Sequence, residues 1–259
     1  MKNILVVNDD GITARGIHVL TGALAEIAAV YVCAPDRQRT AAGHGITVSE
    51  DILIKEAEFP GAKKAYSCSG TPADCVKMGL RILRKQGVEI DLVCSGINHG
   101  ANLGTDVLYS GTVSAALEGA VNGIPSIAFS CCSHEARHME AFPELVPDIC
   151  KKAWDKLDSH IVLNVNVPDI PAEQLLGIRF TRQGPREYDE ASDTGGDLKE
   201  GVCCSYSGAP LMPDHTEEDM DVTAAAQSYI TITPLQFDLT AHEMIAEIAD
   251  WGFSYSAAE

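Results

Sequence analysis

The run Ile4-Leu5-Val6-Val7 limits this chain more than any other feature, because it is apolar at four consecutive positions and then stops at Asn8-Asp9-Asp10-Gly11. A strand that is apolar at every position must bury both faces, as strands do inside a parallel sheet covered by helices. Val30-Tyr31-Val32-Cys33-Ala34, Leu92-Val93-Cys94 and residues 124–130 repeat the pattern. Amphipathic or helix-favouring stretches lie between and after them: residues 14–28, residues 72–84 with Pro72 in the first turn, a helix opening near Gly111, and residues 138–156. This alternation predicts an α/β fold with a mostly parallel sheet flanked by helices. A polar loop over residues 35–45, an extended stretch over 46–54 and a short strand over 66–68 complete the first half.

Past residue 160 the pattern changes. Residues 161–167 (late in the run), 178–181 and 229–235 alternate apolar with polar side chains and read as strands. Residues 183–219 are polar, contain Gly and Pro, and are interrupted by Val202-Cys203-Cys204-Ser205-Tyr206. That is long for a loop in a compact core and predicts a protruding β-hairpin excursion. A last amphipathic helix is expected over about 240–251, in a C-terminal segment (236–259) available for subunit contacts. No repeat, low-complexity tract or linker divides the 259 residues, so one Rossmann-like domain over 1–259 is expected.

The formal net charge of −18 argues against a nucleic-acid polymer as partner, because phosphate backbones need a basic face. Much of that charge is expected to be a solvated surface; Glu217, Glu218, Asp219 and Asp221 form the densest cluster in the sequence. A small anionic substrate stays compatible if a metal ion and backbone amides supply local positive potential. No apolar run approaches the roughly 18 residues of a membrane span, and the stretch after Met1 is too short for a signal peptide, so a cytoplasmic protein is expected. Nine cysteines fit that compartment: no C-x-x-C occurs, and Cys33, Cys68, Cys75 and Cys94 fall in apolar elements.

Chemistry is expected where strands end, since open α/β sheets bind ligands beyond the carboxyl ends of their strands. Asp9 and Asp10 have no neighbouring Lys or Arg, and two adjacent like charges invite a cation. A turn or helix cap would also use them. Residues 34–44, 95–104 and 109–116 form three more such loops, rich in carboxylate, amide and hydroxyl oxygens that suit Mg²⁺ or Mn²⁺ better than zinc. Ser110-Gly111-Thr112, at a helix start, offers free amides and hydroxyls to an anion, although simple N-capping explains it as well.

Two other readings compete. His134-Glu135-Ala136-Arg137-His138 matches H-E-x-x-H, which on a helix would present two zinc ligands and a general base of a metalloprotease. It lacks an apolar helix flank and an obvious third ligand, and a surface helix with solvated histidines explains it too. A non-catalytic nucleotide-binding module is the second alternative. No G-x-x-x-x-G-K-[ST] occurs, and no G-x-G-x-x-G follows a strand.

Asn8-Asp9-Asp10-Gly11, Ala34-Pro35-Asp36-Arg37, Gly70-Thr71-Pro72-Ala73-Asp74-Cys75, Ser95-Gly96-Ile97-Asn98 and residues 109–116 stand in the order found in the SurE family, which the sequence resembles. The resemblance continues through Asn164-Val165-Asn166-Val167-Pro168 and Ile232-Thr233-Pro234-Leu235 to residues 238–242, nearly the whole chain. It implies a metal-dependent phosphatase acting on nucleoside 5′-monophosphates, with 3′-monophosphates as a second candidate substrate, and with one Mg²⁺ or Mn²⁺ ion per subunit. By the same resemblance Asp9, Asp10 and Asn98 are metal ligands, with Asp9 and Asp10 also catalytic. Thr40 stands where the family usually has a serine and keeps the ligating oxygen. Asn102, Ser110, Gly111 and Thr112 match the phosphate-contacting set, and a homodimer or homotetramer is implied. Gly70 to Asp74 are expected to shape the pocket.

Overall fold

In the computed structural model, which describes residues 1–189, 192–193, 202, 204–205, 210–211 and 217–255, the first apolar run becomes a strand inside a nine-stranded sheet. The first half of the chain forms β1 (Asn3–Val7), α1 (Arg15–Ala25), β2 (Ala29–Pro35), β3 (Ile54–Ala57), β4 (Lys64–Cys68), α2 (Pro72–Lys85), β5 (Leu92–His99), a 3-10 turn (Gly104–Leu108) and α3 (Gly111–Val121). The second half adds β6 (Ser126–Cys131), α4 (Phe142–Ala153), β7 (Ile161–Val167), β8 (Ile178–Phe180) and the short strands β9 (Glu187–Tyr188), β10 (Ser192–Asp193), β11 (Cys204–Ser205) and β12 (Pro210–Leu211). It closes with α5 (Asp221–Ala226), β13 (Ile230–Gln236) and α6 (Met244–Ala249).

Alternate residues of β1 feed two cores. Ile4 and Val6 pack with Ile17, Leu20, Leu24, Val146 and Ile149 from α1 and α4. Leu5 and Val7 pack on the opposite face with Val76, Leu80 and Leu83 of α2 and Ala115 of α3. Each such fully buried aliphatic side chain contributes roughly 1.5–3 kcal/mol, which is why a strand apolar at every position can only lie here. α2 starts where its sequence requires: Thr71 and Asp74 form a reciprocal capping box, Pro72 takes the first turn, and Arg84 and Lys85 sit at the negative end of the helix dipole.

The strand order is β3-β4-β2-β1-β5-β6-β7-β13-β8. From β4 across to β7 all neighbours are parallel, while β3 pairs antiparallel with β4 and β13 antiparallel with β7. The chain winds outward in both directions from β1 and β5, so a crevice opens between the carboxyl ends of these two strands. The expected hairpin excursion appears as antiparallel ladders, Tyr188 opposite Pro210 and Ser192 opposite Ser205. Most of residues 190–216, including Cys203 and Tyr206 of the apolar interruption, lie outside the described residues. Among the described residues no helix is long and apolar enough to cross a membrane.

Several expected boundaries move. The extended stretch over 46–54 joins the sheet only from Ile54, because its partner β4 ends at Cys68 and the chain then turns into α2. The loop expected from Ser95 stays in β5 as far as His99: after a bulge, Asn98 and His99 pair with Ser130 and Cys131. Gly96 makes the bulge possible, with φ of 124° and a Cβ position only 2.2 Å from the carbonyl oxygen of Phe129. The helix expected over 138–156 runs only from Phe142 to Ala153, and the one expected over 240–251 only from Met244 to Ala249 with no buried residue.

Candidate metal and phosphate site

The crevice between β1 and β5 is a cavity of about 860 Å³ lined by Asp9, Asp10, Thr40, Asn98, Asn102 and Ser110. Six side chains spread over residues 9–110 thus meet in one cavity, carried by strand ends, by loops and by the N-cap of α3.

Asp9 lies two residues past the end of β1 and is only 6% exposed. Its Oδ1 accepts a 2.5 Å hydrogen bond from the Thr112 hydroxyl, and its carbonyl accepts one from the Arg39 amide at 2.7 Å. Burial pushes its carboxyl up to about 6; the Thr112 hydroxyl pulls it down and the Asp10 charge adds to the rise. The repulsion read from the adjacent pair is therefore real but smaller than burial. Asp10 accepts from the His99 amide at 3.1 Å and from Gln38 Nε2 at 3.4 Å. Among the described residues, neither carboxylate is paired with a Lys or Arg.

Asn98 donates Nδ2 to the Gly100 carbonyl at 2.9 Å, which leaves its side-chain oxygen for a ligand. Thr40 is exposed in the loop after β2. Two carboxylates, an amide oxygen and a hydroxyl make a hard, all-oxygen donor set, which fits Mg²⁺ or Mn²⁺. A buried carboxylate left without a cation strengthens the fit. No group of three His, Cys, Asp or Glu suited to a metal occurs among the described residues.

Asn102 is clamped by β7. Its amide donates to Asn166 Oδ1 at 2.8 Å, its carbonyl accepts from Asn164 and Asn166, and its own Nδ2 donates to Ser130 Oγ at 2.8 Å. The alternating asparagines of β7 thus support the site. Ser110 caps α3 by accepting from the Val113 amide at 3.0 Å, leaving the Gly111 and Thr112 amides without intrahelical partners at the positive end of the helix. The capping role foreseen for this motif is present. Gly111 is required by close approach, since a Cβ there would lie 2.7 Å from that of Asp9. The Thr112 side chain is fully buried and its hydroxyl is spent on Asp9, so of this residue only the backbone amide remains for an anion.

The Gly70–Asp74 turn does not line this cavity. Asp74 instead accepts from the Thr47 amide and hydroxyl, and the Thr71 hydroxyl donates to the Gly45 carbonyl at 2.7 Å, so the turn holds the loop that carries Thr40. Gln38, His99 and Tyr109 of the expected loops complete the walls, together with residues not foreseen: Asp106, and Arg186 and Tyr188 from the base of the hairpin excursion. Asp106 ties the excursion down, accepting from Arg186 Nε at 3.2 Å and from the Tyr188 hydroxyl at 2.5 Å.

The H-E-x-x-H match forms no zinc site. Residues 134–138 are not helical, and Ala136 has φ of 43°. His134 bonds the His99 carbonyl at 3.1 Å and lines the main cavity, whereas Glu135 and His138 line a separate one of about 510 Å³. Glu135 is paired with Arg137.

The Survival protein SurE family model matches residues 4–190. The chain is 44% identical over 249 residues to the 5′-nucleotidase SurE of Syntrophomonas wolfei, an alignment covering 94% of this chain and 92% of that protein. It is 42% identical over 265 residues to the 5′-nucleotidase SurE of Trichormus variabilis, covering 98% and 99% of the two chains. The crystal structure of the SurE protein from Aquifex aeolicus superposes with a TM-score of 0.83 at 37% identity, covering 97% of this chain and all of that one.

Proposed function

The chain belongs to the SurE family, and from that premise we propose how it acts as a 5′-nucleotidase: Asp9, Asp10, Thr40 and Asn98 hold one divalent ion, and Asn102, Ser110 and the amides of Gly111 and Thr112 hold the phosphate. The reaction is hydrolysis of a nucleoside 5′-monophosphate to nucleoside and phosphate. The observation that carries the assignment is one cavity at the sheet's switch point lined both by an uncompensated carboxylate pair and by Ser110, the N-cap of α3.

When bound, a divalent ion supplies Lewis-acid polarisation of a phosphoryl oxygen and acidifies a bound water. The protein's own groups do the rest. The Asp9–Asp10 pair takes the proton of the attacking water. Thr112 fixes the Asp9 carboxylate, and the His99 amide fixes that of Asp10. In this reading the α3 amides, the Asn102 side chain and the Ser110 hydroxyl stabilise the equatorial oxygens as charge spreads over them. No residue needs to be phosphorylated.

Release of phosphate from a panel of nucleoside monophosphates, 5′ and 3′, each with Mg²⁺ and with Mn²⁺, tests the reading. Turnover of 5′-monophosphates that stops on chelation is expected, and no turnover with either metal overturns the reading. The 3′-monophosphates decide whether the second position is also accepted.

The same reading includes a homodimer or homotetramer built through residues 183–219 and 236–259. Leu239, Ile245, Trp251, Phe253 and Tyr255 are exposed along the C-terminal segment, an apolar surface that a second subunit would cover. Sedimentation equilibrium at micromolar concentration is expected to show an oligomer; a clean monomer discards this part.

A further inference from the structure

Thr40 sits in a loop that has little packing of its own: residues 36–38, 40–41 and 44–46 are exposed, and Ala41 and Gly43 have φ of 54° and 53°. A ligand on such a loop binds well only if something else fixes the loop, because ordering it on binding costs affinity. Besides the Asp74 carboxylate on Thr47, several groups hold it. The Arg39 amide donates to the Asp9 carbonyl at 2.7 Å, the Gly43 amide to the Tyr109 carbonyl at 3.1 Å, and the Thr71 hydroxyl to the Gly45 carbonyl at 2.7 Å. A further anchor is a side-chain pair, His44 Nε2 with Glu118 Oε2 at 3.0 Å.

Glu118 lies outside the cavity, two turns along α3 from the helix N-terminus proposed to hold phosphate. It is 3% exposed and bonded to Lys77 at 2.7 Å and Asn122 at 2.7 Å as well as His44. Burial pushes its carboxyl up, but hydrogen bonds from His44 and Lys77 outweigh that and hold it below the ordinary value. An ionised carboxylate only accepts, so His44 Nε2 carries the hydrogen. α3 therefore presents the proposed anion site at one end and an anchor for the Thr40 loop further along one rigid element.

We propose that Glu118 and His44 form a latch that positions the loop of Thr40, so that a buried carboxylate remote from the cavity sets divalent-metal affinity. The inference rests on the metal-site reading above. Both are positioning residues, since neither lines the cavity.

Direct Mn²⁺ binding to the full-length, chelator-stripped protein, followed by calorimetry or by the loss of the free-ion paramagnetic resonance signal, tests the latch without reference to activity. His44→Ala is expected to raise the Mn²⁺ Kd about tenfold, with kcat at saturating Mn²⁺ kept within about threefold. His44→Gln, which places an N–H near the Nε2 position, is expected to recover Kd to within about threefold of wild type. Lys77→Ala removes a different partner of Glu118 and is expected to change Kd by less than about twofold. His44 is exposed, so these variants test the loop rather than folding. Wild-type binding with an unchanged Kd in His44→Ala overturns the latch alone. An equal loss in Lys77→Ala also overturns it, by showing a general loosening of α3. No Mn²⁺ binding by wild type overturns the metal site, and the latch with it.

Discussion

Asp9 and Glu118 are both buried carboxylates in contact with α3 or part of it, at 6% and 3% exposure, yet their surroundings drive them in opposite directions. Glu118 receives Lys77, His44 and Asn122, and despite burial its carboxyl is held low. Asp9 receives a single hydroxyl from Thr112 and a like charge beside it, and burial pushes it up to about 6. A fold that supplies its own cation makes a buried carboxylate a structural part. One that withholds a cation leaves the carboxylate to be completed by a ligand, which is how perturbed groups come to mark functional sites.

Changing Asp9 is the most severe way to break the comparison. Asp9→Asn or Asp10→Asn is expected to lower kcat at saturating metal on the order of a thousandfold, about 4 kcal/mol of barrier, with the circular dichroism spectrum unchanged. Near-normal turnover in both variants would remove the metal-site assignment.

The next effect is on stability and has opposite signs at the two sites. Asp9, raised above its ordinary 3.8 to about 6, binds its proton more tightly in the folded state. Its contribution is full below pH 3.8 and is lost as pH rises toward 6, at most about 3 kcal/mol by linkage. Glu118, depressed below its ordinary 4.5, contributes above that value and loses its contribution as pH falls through the lower folded value. Urea denaturation of the chelated protein across this range should show a falling limb that Asp9→Asn flattens and an acid limb that Glu118→Gln flattens. The same slope in wild type and Asp9→Asn would deny the difference between the sites.

At neutral pH, Glu118→Ala is expected to cost about 2 kcal/mol through the unpaired donors it leaves, seen as a lowered Tm, while Asp9→Asn raises the Tm of the chelated protein. The smallest effect concerns the histidine motif. His138, which lines the separate cavity, is expected to tolerate Ala with less than about a twofold change in kcat/KM. A larger loss with the fold intact would tie that cavity to the reaction.

How much of this was legible depends on how local each signal is. The unbroken apolar run over residues 4–7 announced a strand buried on both faces, and Thr71-Pro72-Ala73-Asp74 announced the start of α2, because both patterns are complete within a few residues. Asp9, Asp10 and Ser110 could be picked out as soon as strand ends and helix starts were placed. The H-E-x-x-H match shows the limit of local reading: five residues satisfy the pattern, but a backbone that never becomes helical sends its two histidines to different cavities.

The sequence by itself determined the layered α/β architecture, the carboxylates at the end of β1 and the capped start of α3, since periodicity and capping are properties of neighbouring residues. Tertiary structure alone decided that Thr112 serves Asp9, 103 residues away, and that His44 meets Glu118 across 74 residues. It also decided that Arg186 and Tyr188 close the cavity through Asp106, 80 and 82 residues before them. Such pairings leave no trace in any short window, because they are fixed by strand order and helix packing rather than by the identity of the neighbours in the chain.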